Sequence, residues 1–332
     1  MAGSTFPVDL FNPGQVFACL GLMEVADVLM DDVEAGFDWS DPRQPIFRIE
    51  AAGEQVPVRA VLDYLAHATV GRVMPRGYSD PPKQKSSADA GADADEADDD
   101  GSDEAGTGDG AVARTTPGEH EYSECFPAAE ADSLSLPVRL FVEGRSSVEV
   151  SHWADGSTRN TFKLYAGNRS AEGIARAMLL GVRDKPKKGK TKGALRYKGV
   201  EHLWAERPDE IEARPFDLLT PIGGSFNFDP RGAWTALDAG YSPNTHKHGV
   251  VASPLVHLLA ACGLEHTRPM EFGVRQVRYC VWTGELPPSL ARVAFQGGIP
   301  SLPTKQFRFE LALSGKNKIV TFAQQENAHE RR

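Results

Sequence analysis

Apolar positions crowd the stretch from Phe6 to Met30, FPVDLFNPGQVFACLGLMEVADVLM, and leave it almost no polar face. A short strand meets a Pro-Gly turn. Val16, Phe17, Leu20, Leu22, Met23, Val25, Val28 and Leu29 then surround a helix whose acidic positions are Glu24 and Asp27. Such a pattern predicts a helix covered by protein on most sides. Asn12-Pro13 marks its start, since Asn caps helix N-termini and Pro gives up an N–H that has no helical partner there. Phe37-Asp38-Trp39 and Ile46-Phe47-Arg48-Ile49 follow, the second with strand character, and Val58, Val61, Leu62 and Leu65 predict an amphipathic helix over Val56 to Val70. The opening therefore reads β-α-β-β-α.

The pattern then stops. From about Pro75 to Thr116 the chain is Gly, Ala, Ser and Asp with almost no large apolar residue, a composition expected to stay disordered as a surface insertion. Periodicity returns near Leu136. Val138–Val142 and Val148–Trp153 look like strands, Phe162–Tyr165 like a third, and Ile174, Ala175, Met178 and Leu179 face inward on a helix from Ser170 to Gly181. Phe226-Asn227-Phe228-Asp229 alternates as a strand does, beside Gly223-Gly224. Ser253 to Leu264 echoes the opening helix: Ser253-Pro254 matches Asn12-Pro13, and Ala261-Cys262-Gly263-Leu264 matches Cys19-Leu20-Gly21-Leu22. Val277–Trp282 is a strand. Phe307, Phe309, Leu311 and Leu313 alternate with polar residues up to a turn at Ser314–Asn317, and Lys318–Phe322 returns as a hairpin. The organisation expected is the N-terminal part of a first α+β unit (1–74), a disordered acidic insertion (75–135), the remainder of that unit plus a second copy of it (136–326), and a frayed tail (327–332).

Composition adds little until charge is placed on the chain. With 332 residues and 41% hydrophobic content the chain builds one large or two ordinary domains. No apolar run reaches the roughly 18 residues of a membrane span and no basic flank opens the chain, so a cytoplasmic protein without a membrane partner is expected. Cys19, Cys125, Cys262 and Cys280 form no CxxC pair and read as buried free thiols. Ten of the 46 acidic residues lie between Ala88 and Gly110 without a basic residue among them, so the remaining 36 balance the 36 lysines and arginines. The net charge of −10 thus belongs to the insertion, and a neutral body is open to an anionic partner.

The positive charge is concentrated in turn. Lys185, Lys187, Lys188, Lys190, Lys192, Arg196 and Lys198 oppose one acid between Asp184 and Lys198, where Pro186, Gly189 and Gly193 favour a loop. A loop of this charge is a phosphate-contacting candidate, with Arg183 as a clamp and Tyr197 as a stacking group. Lys316 and Lys318 tip the final hairpin. Arg231, Trp234, Asp238, Tyr241 and Asn244 form either a binding surface or a loop lying over the core. His246, His248, His257, Cys262 and His266 fall close together without a recognised ligand spacing, so no metal is assigned. No cofactor is assigned either: GxxxxGK[ST], the dinucleotide glycine fingerprint, GxSxG and HExxH are all missing. A metal-independent ribonuclease using His120 or His152 as base stays open.

Four sets of residues carry a resemblance to a known family. They are Asn12-Pro13-Gly14 with Cys19, Gly21-Leu22, Glu24 and Ala26-Asp27; Phe226-Asn227-Phe228-Asp229 with Tyr241-Ser242-Pro243; Gly263-Leu264 with Arg268-Pro269; and Ser314 to Lys318. In these the chain resembles a CRISPR-associated family, the third of the small proteins of type I-U (later I-G) systems. The resemblance implies RAMP-type ferredoxin-like (RRM-like) βαββαβ units, two of them here. It also implies a place in a multisubunit RNA-guided antiviral complex. The glycine-rich loop expected of a RAMP protein near its C-terminus is not well formed, since Gly297-Gly298 precedes the last hairpin and Pro300 follows. The function expected is a non-catalytic subunit of a Cascade-like complex. It binds CRISPR RNA or target DNA through Arg183, Lys185–Lys198 and Lys316/Lys318, with other effector subunits as partners. Two alternatives stand beside it, a RAMP endoribonuclease that processes CRISPR RNA and a protein-only scaffold or large-subunit-like component.

Overall fold

The computed structural model describes residues 1–75, 120–123, 134–154, 162–165, 169–184, 186, 193–222, 224–232, 251–314 and 317–326. The acidic stretch Ala88–Gly110, Cys125, the five loop lysines from Lys185 to Lys192, Trp234 to His248, Lys316 and the tail 327–332 lie outside the described residues.

The opening runs β1 (Ala2–Pro7), α1 (Pro13–Leu29), β2 (Glu34–Asp38), β3 (Ile46–Ala51), α2 (Pro57–His67) and β4 (Thr69–Pro75). Asn12 caps α1 by accepting the Gln15 N–H at 3.2 Å, and every residue from Pro13 to Ala26 is buried. The all-round apolar pattern thus marks a helix enclosed by protein. The second helix is shorter than its pattern predicts. Val70 and Val73 fit an inward-facing helix row or a strand equally well, and the chain leaves the helix at Ala68 to extend as β4.

The middle holds β5 (His120–Ser123), β6 (Val138–Phe141), β7 (Val148–Val150), α3 (Ala171–Leu180), β8 (Val182–Arg183), β9 (Leu195–Tyr197), α4 (Val200–Glu206) and α5 (Pro208–Ala213). β5 lies inside the span 75–135 and pairs parallel to β4, in a sheet ordered β5-β4-β6-β7. Phe162–Tyr165 is not a strand. Its Phe162, Leu164 and Tyr165 are buried in an irregular segment, held by rings rather than by a ladder. Ser170 caps α3 at the Gly173 N–H, and Ile174, Ala175, Met178 and Leu179 are buried as the spacing predicts.

The last part runs β10 (Thr220–Pro221), β11 (Val251–Ala252), α6 (Pro254–His266), β12 (Met270–Gly273), β13 (Gln276–Trp282), α7 (Pro288–Phe295), β14 (Thr304–Ser314), β15 (Asn317–Val320) and β16 (Gln324–Gln325). The echo of α1 is real at the level of structure: Ser253 caps α6 through the Val256 N–H, and Pro254 to Leu264 are buried. β12-β13-β14-β15 form one sheet with β16 beside β14, and β1-β3-β2 form another. Phe226–Phe228, read as a strand, is instead an irregular buried segment in which Asn227 sits at φ 59. The chain is therefore mixed α+β, with seven helices among the described residues and several small, mostly antiparallel sheets.

α1 and α6 form the centre. Their N-termini meet at one buried carboxylate, so they run side by side in the same direction. Phe17 carries α1 onto the larger sheet, with ring centroids 6.0 Å from Tyr279 and 6.0 Å from Phe309. The two sheets join laterally where Ala35 and Leu286 exchange backbone hydrogen bonds of 2.9 Å and Trp282 Nε1 donates to the Ala35 carbonyl at 3.2 Å. No described helix is long and apolar enough to cross a membrane.

Candidate nucleic-acid interface

The basic segment is fixed at both ends. β8 and β9 pair antiparallel, Val182 with Tyr197 and Arg183 with Leu195, and the Asp184 N–H donates to the Ala194 carbonyl at 2.9 Å. Gly181 makes the approach from α3 possible: its φ is 71°, and a Cβ there would sit 2.4 Å from the Tyr197 carbonyl oxygen. The pairing puts Arg183 on one strand, Arg196 on its neighbour and Lys198 just after it, and in sequence Lys185, Lys187, Lys188, Lys190 and Lys192 fall between the two strands. The five lysines themselves lie outside the described residues.

Behind β9 a groove of about 270 Å³ opens between the hairpin, α4 and the strand entering β10. Its floor is Leu203 and Leu218, both buried, and Leu219 stands 43% exposed at the lip. Arg196, Lys198 and Arg207 supply positive charge and Glu206 one negative charge. Thr220 Oγ1 donates to the Lys198 carbonyl at 3.2 Å and ties the wall to the hairpin. Arg196 is exposed, its guanidinium 5.0 Å from the Tyr197 ring centroid. Lys198 is hydrogen-bonded to Glu206, which, with the nearby positive charges, holds that carboxyl below its usual range. His202 lies 3.4 Å from Arg183. Burial and the adjacent Arg183 outweigh the neighbouring acids and push its pKa down, so the ring is neutral at pH 7. The arrangement favours an anion with an apolar body.

Lys318 is placed elsewhere, opposite Leu313 on the β14–β15 hairpin, where burial lowers its pKa against the pull of Glu271. It shares no strand or sheet with the β8–β9 pair.

Asn12, Pro13, Gly14, Asn227 and Asp229 do come together, but inside the protein. Asp229 is 1% exposed and accepts from Asn12 Nδ2 at 3.2 Å, from the Ser253 N–H at 3.4 Å and from Arg231 through both oxygens, at 2.9 and 2.7 Å. One carboxylate thus locks the caps of both central helices. Burial works to raise the Asp229 carboxyl, yet the Arg231 contacts and neighbouring positive charge prevail and lower it. Asn227 donates to the Leu164 carbonyl at 2.9 Å. The close approach that Gly14 permits is made to the chain's own Phe228 carbonyl oxygen, 2.3 Å from where a Cβ would sit. His257 completes the knot, its Nδ1 accepting from the Phe228 N–H at 3.1 Å. In the sequence His257 stands out only by its nearness to His246, His248, Cys262 and His266. Its place one turn after the Ser253 cap was the available signal.

No protein-family model, curated protein or solved structure matches the chain.

Most described groups considered for covalent or acid–base chemistry are withdrawn from solvent. Cys19 and Cys262 are free and buried, Cys280 is buried, and burial raises Cys19 and lifts Cys262 to about 12, so these two stay protonated at neutral pH. His152 is buried, its ring centroid 4.7 Å from that of Trp153 and 5.9 Å from that of Phe228. Among the described residues no group of three His, Cys, Asp or Glu side chains is placed to hold a metal.

His257 gives the fold a measurable acid sensitivity. Burial, with Arg231 adding to it and Asp229 opposing, lowers its pKa from 6.5 to about 4. Below pH 6.5 the unfolded chain takes up a proton that the folded ring refuses. The neutral ring's stabilisation is therefore complete above pH 6.5 and is lost as pH falls toward 4, by about 3 kcal/mol. His257→Asn keeps an acceptor near Nδ1 and removes the titration. Urea unfolding followed from pH 7 to pH 4 should show a smaller loss in the variant than in the wild type, and parallel losses would contradict the assignment.

Proposed function

We propose that this protein is a non-catalytic, nucleic-acid-binding subunit of a type I CRISPR effector complex, holding CRISPR RNA or target DNA alongside other effector subunits. The observation that carries the binding reading is the β8–β9 pair, which puts Arg183 and Arg196 on paired strands and Lys198 just after them, flanking a sequence segment with five lysines, while Arg196 and Lys198 also line the groove. Cations on such an element neutralise phosphates and release counterions. The CRISPR setting rests on the resemblance carried by Asn12-Pro13-Gly14, Phe226-Asn227-Phe228-Asp229 and the Ser314–Lys318 turn.

Two ferredoxin-like units of RAMP type are the finer fold reading. Its support is that β1 lies beside β3 with β2 outside, and that the order strand-helix-strand-strand-helix-strand recurs from β11 to β14. The closing strand β4 and the opening strand β11 pair in other sheets, so each unit departs from a four-stranded whole. The non-catalytic reading is supported by the burial of His152 and of the thiols. Labelled repeat RNA incubated with the purified full chain without metal is expected to be retained intact. Discrete cleavage would favour the endoribonuclease, and no retention of RNA or DNA would favour a protein-only scaffold.

A further inference from the structure

We draw no further inference here: the strongest candidate, the exposed apolar edge of β12 with Met270, Phe272 and Val274, carries none because nothing in the structure shows what covers it, the nearby Arg275 and Arg278 being already paired with Glu310 and Glu326.

Discussion

Gly21→Ala is expected to cost at least about 3 kcal/mol of stability, because a single methyl at that position has nowhere to go. A Cβ on Gly21 would lie 1.8 Å from the Leu259 carbonyl oxygen and 2.9 Å from the Gly263 nitrogen. A Cβ on Gly263 would lie 2.3 Å from the Phe17 carbonyl oxygen. All of these are backbone atoms of α1 or α6, and a helix backbone does not yield locally as a long side chain does. The two helices would have to separate along their contact, and both are buried on almost every side. Separation also strains the knot at their common end, where Asp229 holds Asn12 and the Ser253 N–H together. Urea unfolding followed by circular dichroism measures the cost. Gly3→Ala is the control, since its new methyl meets Glu50 side-chain atoms no closer than 3.4 Å and should change stability by less than about 0.5 kcal/mol. A loss below about 1 kcal/mol for Gly21→Ala would contradict the helix contact.

Replacing Lys187, Lys188, Lys190 and Lys192 together with Glu is expected to weaken single-strand binding by roughly 10²–10³-fold near 0.1 M salt. Each lysine that meets a phosphate contributes by releasing counterions, and four such contacts set the size of the loss. Reversing the charge rather than removing it adds repulsion on top. Folding should be untouched, because the bonds that fix the hairpin are made by Val182, Arg183, Asp184, Ala194, Leu195 and Tyr197, none of which is changed. An unchanged urea midpoint with lost binding separates an interface effect from a folding effect.

The central helices were legible because each feature of their sequence has one physical meaning. A capping Asn or Ser before Pro starts a helix, and an apolar surface all round has to be enclosed. The final strand was legible for the same reason, with Phe307, Phe309 and Leu311 alternating and buried. Elsewhere one pattern served two structures. Val70 and Val73 suited a helix row or a strand, and the strand prevailed through pairing with β6. Phe226 and Phe228 alternate as in a strand, but they are held by rings, Trp153 stacked on Phe226 at 5.3 Å, while Asn227 takes a left-handed turn between them. The loop cations could be read locally because they are consecutive. The groove could not, since Leu203, Arg207 and Leu219 come from α4, its C-cap and a later segment that only the tertiary fold sets beside Arg196. The knot was hidden for the same reason, Asn12 and Asp229 being 217 residues apart.

The claim that phosphate contacts on the β8–β9 hairpin hold nucleic acid is tested most directly by the salt dependence of single-strand binding. Affinity is measured at several salt concentrations for the wild type and for the four-lysine Glu variant. The slope of log affinity against log salt is predicted to be steep in the wild type and shallower by about 3 in the variant. Equal slopes and equal affinities in the two proteins would contradict it.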